Sequence, residues 1–68
     1  MEFKDRLREL RIENGIKQET LSKILNITTS TVSMYETGQR EPTLDILIKI
    51  AVFFNTSTDY LLGLKDEK

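Results

Sequence analysis

Apolar residues recur at helical spacing along nearly the whole chain. Phe3, Leu7 and Leu10 fall at i, i+4 and i+7 and give the first segment one apolar face. Lys4, Arg6, Arg8, Glu9 and Glu13 cover its other faces, so a helix is expected over about residues 2–14. Leu21, Ile24 and Leu25 repeat the spacing in a second segment, and Val32 with Tyr35 marks the inner side of a third. In the fourth, Leu44, Leu47, Ile48, Ala51 and Phe54 form the expected core stripe. Ile46, Ile50, Val52 and Phe53 spread its apolar positions beyond one face. That surplus fits either tighter packing against a fifth helix or a surface for a partner. Tyr60, Leu61 and Leu62 make a last short segment.

Stop and start signals fall between these segments. Gly15, Asn26, Gly38, Asn55 and Gly63 each follow a periodic stretch, and these residue types accept the left-handed backbone that ends a helix. Thr28, Thr43 and Ser57 stand where an N-cap hydroxyl is needed, with Asp45 and Asp59 in the first turns that follow. Lys17 breaks this rule, because lysine caps poorly and its charge opposes the helix dipole. Ile16 and Ile27 are expected to anchor the corners between helices. The pattern predicts an all-α chain of five helices, one domain over residues 1–64, and a frayed charged tail at residues 65–68.

Composition narrows the chemistry. A chain of 68 residues buries only a thin core, and it has neither Cys nor His to supply a disulfide, a thiolate, an imidazole ligand or the commonest general base. No phosphate-binding glycine loop or metal-ligand cluster is visible, so no enzyme, cofactor or metal is expected. No apolar run approaches the ~18 residues of a membrane span. The charged, amphipathic start, Met1 to Arg6, does not read as a signal peptide, so a cytoplasmic protein is expected. The net charge is −1, with one net positive charge over residues 17–40 and a negative balance elsewhere. A weak non-specific affinity for polyanions follows.

Residues 18–37 hold the informative motif. Two short helices meet at a tight turn through Asn26, and the second buries Val32 and Tyr35 while leaving Thr29, Ser30, Ser33, Met34 and Thr37 outside. This is a helix-turn-helix, with its second helix offered to the DNA major groove. Gln18, the small Ser22 at the helix crossing, Asn26 in the turn and Glu36-Thr37-Gly38 at the end resemble the phage repressor and Cro class, the xenobiotic-response-element (XRE) family of bacterial and phage regulators. The similarity continues through Pro42-Thr43-Leu44, Leu47 to Ala51 and Asp59 to Gly63, covering about residues 3–64. Ser22 stands where the family usually has Ala, Asn26 where it has Gly, and Lys17 where it has Ser or Thr. The resemblance implies a compact five-helix, lambda-repressor-like domain with the motif at its second and third helices.

Roles follow from both readings. Thr28, Thr29, Ser30, Ser33 and Met34 are expected to meet base edges. Their short hydroxyls and the Met34 thioether suit thymine methyls and shape readout, since no Arg, Asn or Gln offers a two-bond code. Met34 is otherwise core filling. Lys17, Gln18, Thr37, Gln39 and Arg40 are expected on phosphates, Lys17 and Gln18 at a helix N-terminus that favours anions. The resemblance implies an Arg11–Glu36 ion pair, where the alternative is a solvated Arg. It also places a dimer interface near the last helix, for which Phe53, Tyr60, Leu61 and Leu64 are the candidates.

The function implied is a dimeric, sequence-specific binder of double-stranded DNA, a transcriptional regulator of the repressor kind acting on a pseudo-palindrome. The alternative is an antitoxin or anti-repressor module that binds a small protein. Its apolar surplus would be Ile12, Ile46 and Val52.

Overall fold

The computed structural model describes residues 1–68 and contains five helices and no strand. They are α1 (Phe3–Glu13), α2 (Gln18–Leu25), α3 (Thr29–Thr37), α4 (Leu44–Phe53) and α5 (Thr58–Leu61). Three of them start on a hydroxyl. Thr28 Oγ1 accepts from the Thr31 N–H at 3.1 Å, Thr43 Oγ1 from that of Ile46 at 3.3 Å, and Ser57 Oγ from that of Tyr60 at 3.0 Å. Lys17 holds the N-cap position of α2 and makes no side-chain cap. Asn26 (φ 57°) and Asn55 (φ 52°) are the two non-glycine residues with left-handed backbone, each just past a helix.

α3 packs on both α1 and α2, while α4 rests on α2 and α5, and α5 reaches back to α1. The sides facing inward close one core of Leu7, Leu10, Leu21, Leu25, Val32, Tyr35, Leu47, Ile50, Ala51, Tyr60 and Leu61. Phe3, Ile16, Ile27, Ile46 and Phe54 pack against its edge. Phe3 meets Tyr35 edge to face, with ring centres 6.2 Å apart, and so joins α1 to α3.

The structure corrects several expectations. Ile24, Leu44 and Ile48 are exposed instead of central, whereas Ile50 is fully buried. With apolar residues on most sides of α4, periodicity cannot select the inward face. Contact with α2 and α5 selects Leu47, Ile50, Ala51 and Phe54. Ile46 belongs to the core edge and not to a partner surface. Tyr60 and Leu61 are core residues within the protomer, which removes them from the expected dimer interface. Phe53 and Leu64 stay exposed.

Residues 65–68 run back toward α1 and are met there by Arg6 and Glu13. Arg6, expected on a solvated face, is buried, and its Nη1 donates to the carbonyls of Tyr60 (3.2 Å) and Lys65 (3.0 Å). Its Nη2 donates to Asp66 Oδ1 at 3.1 Å, and the guanidinium lies 4.1 Å above the Tyr60 ring. Lys68 Nζ meets Glu13 at 2.8 Å. Cation–π stacking and charge-assisted bonds together fold residues 65–68 back along α1.

Candidate nucleic-acid interface

The turn between α2 and α3 is built from local chemistry. Asn26 reverses the chain in the left-handed region, and the Ile27 N–H returns to the Ser22 carbonyl at 2.9 Å. Ser22 is buried where the two helices cross. Its hydroxyl donates to the Glu19 carbonyl at 2.6 Å and lies 3.2 Å from Thr29 Oγ1. A larger side chain at residue 22 would force the helices apart, which is why a small residue stands there.

Glu36 fixes the other end of α3. Its carboxylate accepts from Arg11 Nε at 2.6 Å and Nη2 at 3.0 Å, and from Gln18 Nε2 at 3.2 Å. Arg11 Nη1 reaches the Ile16 carbonyl at 3.0 Å. The Glu36 side chain is 3% exposed and that of Arg11 14%, so the pair is largely removed from water. Hydrogen bonding to Glu36 holds the Arg11 guanidinium above its ordinary pKa, with partial burial opposing the shift. One carboxylate therefore ties α1, α2 and α3 together, and each of its bonds is charge-assisted. Gln18, expected to serve a phosphate alone, has one amide hydrogen committed to Glu36, which leaves the other free.

The expected base-contacting residues share the outer side of α3, in different states. Ser30 is exposed, and Ser33 and Met34 are half-buried. Thr28 and Thr29 differ, because their hydroxyls are engaged within the protein. That of Thr28 caps α3 and lies 2.8 Å from Thr31 Oγ1, and that of Thr29 meets Ser22. Ser30 and Ser33 thus carry the hydroxyls without an internal partner, while Thr28 and Thr29 offer mainly methyl groups. Thr37 donates its hydroxyl proton to the Met34 carbonyl at 3.3 Å. It retains acceptor capacity only, which suits a phosphate oxygen poorly. Lys17, Gln39 and Arg40 are exposed. The Gln39 and Arg40 N–H groups close the end of α3 on the Met34 carbonyl, at 2.9 and 3.3 Å.

One cation near this face carries no signal in the sequence. The Lys4 side chain runs beneath Gly38, with its Cδ 3.1 Å from where a Cβ on that glycine would stand. Lys4 Nζ lies 3.7 Å from Glu2. The first turn of α1 therefore brings a lysine to the loop that carries Arg40. Local periodicity does not mark it, because the two residues are brought together only by packing of α1 on α3. No group of three or more acidic, Cys or His residues is arranged to hold a metal ion.

A helix-turn-helix braced in this way, with small polar residues facing outward, defines the class. The chain belongs to the helix-turn-helix family, whose profile matches residues 7–61, and within it to the XRE-type, phage-repressor-like group. It is similar to the HTH-type transcriptional regulator ImmR of Bacillus subtilis, 43% identical over 67 residues, covering 98% of this chain and 52% of that protein. The chain spans about half the length of the curated relatives it matches first. Among solved structures, the P22 c2 repressor in complex with a synthetic operator superposes with a TM-score of 0.89 at 26% identity, over 96% of this chain and 98% of the repressor. A transcriptional regulator from Listeria innocua superposes at 0.90 with 34% identity, over 98% of this chain and 63% of the other. No helix is long and apolar enough to cross a membrane.

Proposed function

We propose that this chain binds double-stranded DNA sequence-specifically and regulates transcription as a dimer. It would repress by occupying a pseudo-palindromic site with half-sites about 34 Å apart. The observation that carries this reading is the exposed polar face of α3, on a helix fixed by Thr28 at its start and by Glu36 at its end. Ser30, Ser33 and Met34 read bases, with the Thr28 and Thr29 methyls adding apolar contact to thymines. Lys17, Gln18, Gln39 and Arg40 hold phosphates, with Thr37 beside them. α2 is the one long helix after α1 whose start lacks a side-chain cap, so its free N–H groups and Lys17 suit an anion. The role is binding without catalysis, in the cytoplasm of a bacterial cell.

Selection from random duplex DNA at physiological salt, followed by sequencing, tests the proposal. An enriched pseudo-palindrome with half-sites about 10 base pairs apart and thymines at the contacted positions is expected. Guanine-dominated positions would overturn the assignment of readers. A folded protein that enriches nothing would overturn the DNA reading itself and favour an antitoxin-like or anti-repressor module. The exposure of Ile12 and Val52 is what favours that second reading.

A further inference from the structure

α4 is apolar on both sides. Its inner side fills the core, yet its outer side carries Leu44 (76% exposed), Ile48 (53%) and Val52 (74%). These residues stand four apart and form one continuous ridge along the helix. A helix that is apolar all round is normally buried all round, so this ridge calls for a cover. The charged residues of α4 are Asp45 and Lys49, both exposed and both on the same flank of the ridge. They stand at i and i+4 but form no ion pair with each other.

We propose that the cover is a second copy of this chain, α4 crossing α4 near Ile48 about a two-fold axis. This rests on the dimeric reading above and names its surface. The interface of a two-fold dimer must complement itself. An axis at the crossing reverses the helix direction but keeps each flank on its own side. Leu44 then lies toward Val52 of the second copy, Ile48 toward Ile48, and Asp45 toward Lys49, each contact occurring twice. In a parallel two-fold arrangement the two flanks would fall on opposite sides of the contact, and Asp45 and Lys49 would gain no charged partner. The charge pattern thus selects a second copy in the antiparallel sense over an unrelated partner. Four-residue ridges interdigitate at a crossing angle of about 50°, which confines contact to the central turns. The interface is at the small end of specific contacts, so the free dimer is weak, and a two-half-site DNA strengthens it by effective concentration. Leu64 lies outside this ridge.

Sedimentation equilibrium without DNA, over a series reaching millimolar protein, reads the proposal directly. The unmodified chain is expected to self-associate, and Ile48→Glu to weaken association by about tenfold or more, since a charge would sit at the two-fold centre. Asp45→Lys alone gathers four lysines across the interface, and Lys49→Asp alone gathers four aspartates. Each alone is expected to lose about tenfold in affinity, and an equimolar mixture of the two to regain it as a heterodimer. Leu64→Glu is expected to keep the dimer. A chain monomeric at every concentration overturns the proposal. So does a folded Ile48→Glu protein, by far-ultraviolet circular dichroism, that associates normally. A mixture no tighter than its components, or a monomeric Leu64→Glu protein, also overturns it. These readouts stand apart from the DNA reading. A monomer that still selects a single half-site would sink the α4 interface and leave DNA binding intact.

Discussion

Glu36 has almost no access to water, and its charge is tolerated because three N–H donors point at it. Removing one member of a buried pair leaves the other uncompensated, which costs more than the pair contributes. Glu36→Gln keeps the volume but removes the charge and turns an amide donor toward Arg11. The exposure that Arg11 retains discounts the full buried-pair figure. A loss of about 2–3 kcal/mol in urea unfolding is expected, with a fall in Tm of about 10 °C or more for a domain this small. Combined with Arg11→Ala, the losses should fall well short of additive, because both variants break the same contacts. A loss below about 0.5 kcal/mol would place the pair with ordinary surface ion pairs. Likeness to the repressor family is enough to pair Arg11 with Glu36, whereas Gln18 as their third member is not legible in the sequence. Its side chain meets Glu36 only once α2 and α3 have packed. Arg6 looks solvated in the sequence for a related reason. The Tyr60 ring and the carbonyls that hold it lie more than fifty residues away, and no local pattern records them.

At the scale of elements, the helix ends are legible because they are written in short-range chemistry. Thr28, Thr43 and Ser57 cap where a hydroxyl must, and Asn26 and Asn55 turn left-handed where a helix must stop. The inward face of α4 is not legible, since Ile48 and Ile50 are equally apolar and only the neighbouring helices distinguish them. The start of α2 shows a rule broken with a consequence. Lys17 leaves the first N–H groups of that helix without a side-chain acceptor. Lys17→Ser would supply the acceptor and remove an unfavourable charge, so the variant is expected to be more stable by about 0.5–1 kcal/mol. If Lys17 meets a phosphate, the same variant should bind its selected DNA several-fold more weakly. Thermal unfolding and a DNA titration on one preparation would check both halves. Added stability with unchanged DNA affinity would remove Lys17 from the phosphate contacts and leave the missing cap without a functional account.

The whole molecule carries a net charge of −1, so attraction to DNA cannot come from its overall field. On the proposed DNA-binding reading it comes from where the cations are placed. On the α2–α3 side, Lys17 and Arg40 are exposed and free of ion pairs, while the Arg11 charge is matched by Glu36 and that of Lys23 by Glu19. At the far side, Arg6 and Lys68 are committed to Asp66 and Glu13. Gln18 and Gln39, proposed on phosphates, carry no charge and would release no counterions. Two free cations per protomer give about four phosphate neutralisations in a dimer, and a slope of log K against log salt of about −3.6. Raising salt from about 50 to 200 mM should therefore weaken specific binding by about 10², less than the 10³–10⁵ of strongly basic binders. The check is a series of DNA titrations at fixed pH and varied salt. A slope near zero would take DNA off this face. A slope of about −5 or steeper would bring in Lys4, which packing delivers to the end of α3, and Lys4→Gln should then return the slope to about −3.6. On the proposed DNA-binding reading, so shallow a slope would give little non-specific attraction, and discrimination between sites would rest on the fit of Ser30, Ser33 and Met34 to the groove and on the spacing that a dimer imposes.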